Sequence, residues 1–307
     1  MKILLTGGSG LIGREFIKQA IIEKHQVIGV SRNITKAKKQ LRAYYGPQVT
    51  ANSKWLSSLD NLKNLDSYDA VVNLAGEPIV NKRWSLTQKQ IIQNSRWLIT
   101  KRLVDLFKVS NEPPKVFVSG SAIGYYGRQD HRPIDESFTN IHEEFSHQLC
   151  KKWEDIALSA SNVTRVCLLR TGIVVSNKGG ALAKMLPPFK LCLGGPIGDG
   201  AHFMPWIHLE DMVRGINHLI KNTDSRGPYN LTAPNPVSNK EFSKTLAAVI
   251  SRPAFIPMPP VVLKALMGEM SDLLTTGQNV IPKKLLDEGF SFKFSELTSA
   301  LQDLKLQ

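Results

Sequence analysis

The sequence has few cysteines and no long hydrophobic run. Its three cysteines (Cys150, Cys167 and Cys192) are far apart and show no CxxC spacing. This pattern excludes a disulfide framework and a zinc site, and we expect buried, unreactive thiols and no bound metal. No apolar run approaches the roughly 20 residues needed to span a bilayer. The apolar start is cut short by the glycines from Gly7 onward, so it predicts a buried strand rather than a signal peptide. We therefore expect a cytoplasmic protein without a membrane partner, whose mature chain starts here.

Acidic residues are scarce in the first third of the chain. The sequence has 39 Lys+Arg and 26 Asp+Glu, a net charge of +13. Residues 1–110 hold 18 Lys+Arg and 7 Asp+Glu, a net charge of +11. Residues 111–307 hold 21 Lys+Arg and 19 Asp+Glu, a net charge of +2. The excess indicates either an ordinary soluble basic surface or an anionic partner, such as a phosphorylated cofactor, a nucleotide-linked substrate or nucleic acid. Nucleic acid ranks last, because the sequence shows no helix-turn-helix signal, zinc spacing or basic strands with interleaved aromatics.

Apolar runs alternate with amphipathic stretches through the first two thirds of the chain. The runs at 2–6, 26–30, 70–74, 115–119 and 163–170 predict buried strands, and the stretches at 11–23, 85–107, 142–160 and 209–220 predict helices. This alternation predicts an α/β fold with a doubly wound parallel sheet. Helices predicted near 238–250, 261–274 and 296–304 indicate a smaller, mainly helical C-terminal region. We place the domains at 1–228, with substrate-facing loops 120–135 and 176–207, and at 229–307.

A glycine-rich loop lies between the first predicted strand and the first predicted helix. Residues 7–13 (GGSGLIG) satisfy both the GxGxxG and the GxxGxxG spacing. Glycine permits a tight turn, close approach of the backbone to a pyrophosphate, and close packing of helix on strand. The N–H groups at the start of the helix face that pyrophosphate. The strand–loop–helix context therefore predicts a dinucleotide site. Its residues are Gly7, Gly10, Leu11, Ile12 and Gly13.

The end of the second strand indicates which dinucleotide binds. NAD-binding folds usually carry an acidic residue about 20 residues after the loop, where it holds the ribose 2′-hydroxyl. This chain has no acid between Glu23 and Asp60, and the strand ends at Ser31 and Arg32. A guanidinium holds a 2′-phosphate through paired, charged hydrogen bonds. We therefore predict NADP(H) as the cofactor; in the alternative, Arg32 decorates a surface turn.

Four later segments carry a family resemblance. They read NLAGEPI at 73–79, SAIGYYG at 121–127, LGGPIG at 193–198 and IPKKLLDEGF at 281–290. Together with the glycine loop, they resemble the epimerase-family proteins of the short-chain dehydrogenase/reductase superfamily, in an atypical branch near the enzymes that modify nucleotide sugars. The resemblance implies a Rossmann fold, an NADP cleft, the small C-terminal domain of this branch and further cofactor-binding residues. These residues are Leu74, Ala75, Gly76, Arg96 and Val174, with an exposed helix charge as the alternative for Arg96.

The catalytic residues of that superfamily are not all present. It uses a Ser together with a Tyr-x-x-x-Lys pair on one helix, but the helix at 145–154 (FSHQLCKKWE) has no Tyr. His147 stands four residues before Lys151, and Gln148 stands four residues before Lys152. We name Ser121, Tyr125, Tyr126 and His147 as replacement candidates, each with packing or surface exposure as the alternative. Trp206 and His208 are expected to contact substrate or to pack between sheet and cap.

Two functions remain open besides nucleic-acid binding. The first is an NADP-dependent oxidoreductase or epimerase that acts on a small substrate, such as a nucleotide sugar, by reversible hydride transfer. The second is a cofactor-binding sensor that regulates a partner protein, and it is suggested by the missing Tyr-x-x-x-Lys pair. The sequence does not identify the substrate or the oligomeric state.

Overall fold

The structure is a computed structural model, and it describes residues 1–306. The strands are β1 Lys2–Thr6, β2 Gln26–Val30, β3 Lys54–Leu56, β4 Ala70–Asn73, β5 Val116–Ala122, β6 Pro133–Ile134, β7 Arg165–Thr171, β8 Ile173–Val175, β9 Phe203–Met204, β10 Trp206–His208, β11 Gly227–Leu231, β12 Val237–Ser238 and β13 Asn279–Val280. The helices are α1 Leu11–Ile22, α2 Ile34–Ala51, α3 Leu86–Lys108, α4 Phe145–Leu158, α5 Ala181–Lys190, α6 Leu209–Lys221, α7 Asn239–Val249, α8 Pro260–Met267, α9 Asp272–Thr275, α10 Lys283–Asp287 and α11 Leu297–Asp303. Within residues 1–306, no helix combines the length and the hydropathy that a membrane crossing requires.

Seven strands form one parallel sheet in the order β11-β7-β5-β4-β1-β2-β3. The strand order reverses between β1 and β4, so the chain runs outward from this point in both directions. In such sheets, ligands bind outside the carboxyl ends of the strands at the point of reversal. The predicted Rossmann-type fold is confirmed, and the candidate site is placed beyond Thr6 and Asn73.

The apolar strands are buried on both faces because helices cover both faces. Ile3 and Leu5 of β1 face one core cluster, which includes residues of α1 and α6. Leu4 faces the opposite cluster, which includes residues of α3 and α4. This alternation follows from the two-residue period of a strand.

Two of the predicted helices start at serine side-chain caps. The Ser85 hydroxyl accepts a hydrogen bond from the Gln88 N–H at 3.1 Å, and the Ser238 hydroxyl accepts one from the Glu241 N–H at 3.2 Å. The helix predicted over 261–274 is interrupted. Its first part, α8, ends where Gly268 adopts a φ of +62°, a left-handed conformation that stops a helix.

The C-terminal region is mainly helical, as predicted. Helices α7 and α11 surround a separate core cluster with Trp206, Phe242 and Leu301. The boundary expected between residues 228 and 229 falls inside β11, because this strand pairs with β7 as far as Leu231. The main sheet therefore extends three residues beyond that boundary.

Candidate active site and cofactor cleft

The glycine loop makes close backbone contacts at the reversal point of the sheet. A Cβ on Gly7 would lie 2.4 Å from the carbonyl of Leu74, and Gly7 has a φ of +71°. A Cβ on Gly13 would lie 2.4 Å from the carbonyl oxygen of Gly7. Side chains at these positions would push the loop away from β4 and α1. Of the two glycine spacings that the loop satisfies, the packing therefore supports GxxGxxG, which is formed by Gly7, Gly10 and Gly13.

Buried polar side chains hold the carboxyl ends of β1 and β4 together. The Thr6 hydroxyl donates to Asn73 Oδ1 at 2.6 Å, and Asn73 Nδ2 donates to the Thr100 hydroxyl at 2.9 Å. Trp153 Nε1 of α4 donates to the same hydroxyl at 2.8 Å. Because buried polar groups are costly to leave unpaired, this network fixes two strands and two helices under the cleft.

Cationic side chains lie beside the glycine loop. Arg32 is exposed directly after β2, next to Ser31, whose hydroxyl bonds to the backbone of Asn33. A second cation, Arg14 of α1, is not marked by any sequence motif and is only 7% exposed. Its Nη1 donates to the Ser9 carbonyl at 2.8 Å, and its guanidinium lies 4.6 Å from the centre of the Tyr44 ring. Its buried Nε has no hydrogen-bond partner among residues 1–306, so part of the hydrogen-bonding capacity of this cation is unused.

The loop after β4 is held in place by two side chains of α3, Ser95 and Arg96. Arg96 Nη2 donates to the Glu77 carbonyl at 3.1 Å, and the Ser95 hydroxyl accepts from the Glu77 N–H at 2.9 Å. The Arg96 guanidinium carbon would lie 2.9 Å from a Cβ on Gly76. Burial lowers the pKa of Arg96. Arg96 therefore supports the segment containing Leu74, Ala75 and Gly76, and its contact with the cofactor stays a prediction.

A third wall of the cleft comes from the segment after β8. Gly180 has a φ of +80°, and a Cβ there would lie 2.9 Å from the Leu11 side chain, so this segment reaches the start of α1, beside Ile12. Lys178 forms a 3.0 Å ion pair with Glu15 of α1. Val174, which is predicted to lie near the nicotinamide, belongs to β8, directly before this segment. It pairs in register with Ile207 of β10.

Glu15 is a buried carboxylate that ties three segments together. It accepts hydrogen bonds from Lys178 and Lys18 at 3.0 Å each and from the Tyr45 hydroxyl at 2.6 Å. Burial raises its pKa, but the three hydrogen bonds outweigh burial and bring the pKa to about 2. The cluster links α1, α2 and the segment after β8 at the outer end of the cleft.

Helix α4 presents no lysine to the cleft. Its buried side includes Ser146, His147, Leu149, Cys150, Trp153 and Glu154. Lys151 is exposed and pairs with Asp155 at 2.7 Å, and Lys152 is exposed over the Trp97 ring. The structure therefore brings neither lysine to the place where the Tyr-x-x-x-Lys mechanism needs one.

Two of the four catalytic candidates belong to a buried network. Arg170 forms two hydrogen bonds with Glu154, at 3.0 and 2.9 Å, and the Ser121 hydroxyl donates to Glu154 at 2.6 Å. The Tyr126 hydroxyl accepts from Arg170 at 3.1 Å and donates to Asn230 at 2.8 Å. Tyr126 is fully buried, and burial raises its pKa to about 12. Its hydroxyl therefore holds Arg170 in place, and a catalytic role for Tyr126 stays a prediction.

The other two candidates lie side by side above this network. Tyr125 is half-buried, with the Arg170 guanidinium 3.5 Å from its ring centre. His147 packs edge-on against the same ring at 5.4 Å and is only 7% exposed, so it is not a surface residue. Its Nδ1 donates to the Tyr125 carbonyl. Of the four candidates, Tyr125 combines a partly exposed ring with a hydroxyl that has no partner in the described part of the chain.

Several other residues fill structural roles. Trp206 is fully buried and donates to the Asn235 carbonyl at 3.2 Å. His208 accepts from the Glu210 N–H at the start of α6, and its ring lies 4.0 Å from that of Phe294. Both pack between sheet and cap. The expectation of three buried thiols is wrong for Cys192, which is exposed in the turn after α5. Burial raises the pKa of the other two thiols, to about 12 for Cys150 and about 11 for Cys167.

Family models account for most of the sequence. The model of the NAD dependent epimerase/dehydratase family matches residues 3–232, and a domain of unknown function, DUF1731, matches residues 258–304. The chain belongs to the NAD-dependent epimerase/dehydratase family. The first match covers the main sheet from the second residue of β1 onward, and the second covers α8 to α11, the smaller domain that the sequence resemblance implied.

Relatives of this epimerase-family chain are similar over nearly their full lengths. The epimerase family protein SDR39U1 homolog, chloroplastic, of Arabidopsis thaliana is 36% identical. The match covers 98% of this chain and 86% of that protein. The epimerase family protein YfhF of Bacillus subtilis is 34% identical, and the match covers 99% of this chain and 98% of YfhF.

Solved structures agree with this family assignment. The human epimerase family protein SDR39U1 (isoform 2), crystallised with NADPH, superposes with a TM-score of 0.88 at 35% identity over 99% of both chains. The UDP-glucuronic acid 4-epimerase of Bacillus cereus, in a complex with NAD, superposes with a TM-score of 0.77 at 16% identity over 99% of this chain and 96% of that one. At 16% identity, the second match shows a shared fold and nothing further.

Proposed function

We propose that this chain is an NADP(H)-dependent oxidoreductase or epimerase-type enzyme. One observation carries the cofactor choice: the end of β2 presents Arg32 and no acid, beside a glycine loop that also holds the buried cation of Arg14. A 2′-phosphate there meets two guanidinium groups. The NADPH in the similar human protein supports the same choice.

The residues of the cleft fit such a cofactor. The N–H groups of Leu11 and Ile12 at the start of α1 face a pyrophosphate. Leu74, Ala75 and Gly76 form the adenosine side of the cleft, held in place by Arg96. Val174 lies on the wall assigned to the nicotinamide. When bound, the nicotinamide supplies reversible hydride transfer at a carbinol or carbonyl carbon.

We assign proton handling at the substrate to Tyr125. Its ring contacts both the Arg170 guanidinium and His147. Its hydroxyl forms no hydrogen bond within residues 1–306. Glu154 and Ser121 act through Arg170 and fix its orientation, so we class both as positioning residues. A small substrate with a secondary hydroxyl or a ketone suits this arrangement, and nucleotide sugars are the first class to test.

A second function is favoured by the same network. The hydroxyl groups of Ser121 and Tyr126 are both engaged in buried hydrogen bonds, and α4 contributes no lysine. A protein with this site that holds NADP(H) without turnover would act as a sensor of the cofactor for a partner protein.

The experiment that separates the two functions is a turnover screen. Purified protein is supplied with NADPH or NADP⁺ and a panel of carbonyls, alcohols and UDP-sugars, with absorbance and sugar epimerisation as readouts. We expect turnover of at least one class that is lost in Tyr125→Phe. Tight NADPH binding with no turnover over the whole panel would favour the sensor.

A further inference from the structure

An apolar surface covers one side of the smaller domain and α5. Helix α8 has no buried residue, and its sequence is apolar apart from Lys264. Its outward residues Val261 and Leu266 are 71% and 68% exposed, and Phe255 in the preceding loop is 77% exposed. A surface helix normally turns its apolar side inward. The exposed apolar residues of this surface are Leu191, Leu193, Phe255, Ile256, Val261, Val262 and Leu266.

Backbone contacts join the segments that carry these residues. The Met258 N–H donates to the Pro196 carbonyl at 2.8 Å, and the Gly198 N–H donates to the Met258 carbonyl at 3.0 Å. A Cβ on Gly195 would collide with the carbonyl of Ile256. The loop after α5 and the loop before α8 therefore lie against each other, and their exposed residues belong to one apolar surface.

The charged residues within the two segments that carry this surface have a single sign, and the nearest acids along the chain are Asp199 and Glu269. Residues 181–198 and 250–267 contain no Asp or Glu, but they contain Lys184, Lys190, Arg252 and Lys264. All four are exposed, and the ion pairs formed within residues 1–306 involve other cations. A second copy of the chain would bring the same four cations against these four, which is repulsive. An anionic partner with an apolar layer is complementary.

We propose that this surface docks on the headgroup layer of a bilayer that contains anionic phospholipid. Apolar side chains enter the acyl boundary while neighbouring lysines and arginines contact the lipid phosphates. The prolines at 253, 257, 259 and 260 lack a backbone N–H, so the inserted loop has few donors to strip of water. This contact differs from a membrane span, and it departs from the expectation of no membrane partner.

Vesicle flotation tests this proposal with the full chain. The probes are vesicles of phosphatidylcholine alone and of an equimolar mixture with phosphatidylglycerol, and thermal melting verifies that each variant folds. We expect binding to the mixed vesicles only, weakened by added salt. Lys190→Gln with Lys264→Gln should weaken it about twenty-five-fold, at about fivefold per cation. Phe255→Ser with Leu266→Ser should weaken it about tenfold or more.

Matched variants make the test specific. Ile22, at the end of α1, is 66% exposed, so Ile22→Ser controls for loss of an exposed apolar residue elsewhere. Lys63→Gln with Lys108→Gln controls for loss of two exposed charges. Failure to bind mixed vesicles, or equal losses in the controls, would overturn the proposal. A concentration-dependent dimer in sedimentation that Leu266→Ser dissociates would assign the surface to a second copy instead.

Discussion

At the scale of single residues, burial separates candidates that the sequence left equal. Tyr125 and Tyr126 are neighbours with the same chemistry, but the Tyr125 ring is half-buried against the Arg170 guanidinium and the Tyr126 ring is fully buried. The reason is the Arg170–Glu154 pair, whose members are 16 positions apart on β7 and α4. No local sequence pattern reveals such a pair, so the functions of the two tyrosines could not be assigned before the fold was known.

The tyrosine pair gives a prediction with an internal control. Tyr125→Phe should lower turnover by about a hundredfold or more, the range of a lost proton donor, without a change in melting temperature. Tyr126→Phe should instead lower the free energy of unfolding by about 1–3 kcal/mol, because Arg170 and Asn230 lose a buried partner. Steady-state kinetics and urea unfolding measure the two effects. Full activity in Tyr125→Phe would refute its assignment.

Arg14 gives a second prediction at this scale. Arg14→Ala should weaken NADPH binding about tenfold or more, the value of one charged hydrogen bond, and leave NADH binding unchanged, as measured by cofactor fluorescence. Lys39→Ala, an exposed change on α2, is the control. Equal losses for both cofactors would mean that Arg14 only supports the Ser9 carbonyl.

At the scale of elements, apolar runs predicted the central strands and missed the edges. Strand β3 has only three residues, and β11 contains Pro228, which an edge strand tolerates because it does not need every N–H. Such segments carry a weak strand signal, since their pairing depends on a distant neighbour. The basic stretch at residues 36–45 belongs to α2, a helix that the pattern of apolar residues did not predict, and Asn33 caps its start.

The cluster that joins α1, α2 and the segment after β8 predicts an acid-sensitive stability. The pKa of Glu15 falls from 4.5 to about 2 on folding. Its contribution is therefore complete above about pH 4.5 and is lost as the pH falls toward 2; by linkage it amounts to roughly 3 kcal/mol. Glu15→Gln should lower stability at neutral pH and flatten its decline in acid, as followed by urea unfolding. The exposed Glu143→Gln is the control, and an unchanged acid profile in Glu15→Gln would contradict the prediction.

At the scale of the whole molecule, the fold and the family followed from the sequence. The glycine loop, the alternation of strands and helices and the C-terminal motif act over short ranges, and the parallel sheet and both family matches agree with them. The substrate-facing surface did not follow, because it is assembled from loops whose sequences show no periodicity. Substrate and reaction therefore depend on the experiments above.

The central claim is that the cleft binds NADP(H) through the 2′-phosphate, and thermal unfolding with each cofactor tests it most directly. Ligand at about 100 times its dissociation constant stabilises by about 2.7 kcal/mol, a shift of several degrees for a chain of this size. NADPH should raise the melting temperature of the wild-type protein, NADH should not, and Arg32→Glu should abolish the shift. Equal shifts with both cofactors, or no shift with either, would contradict the account.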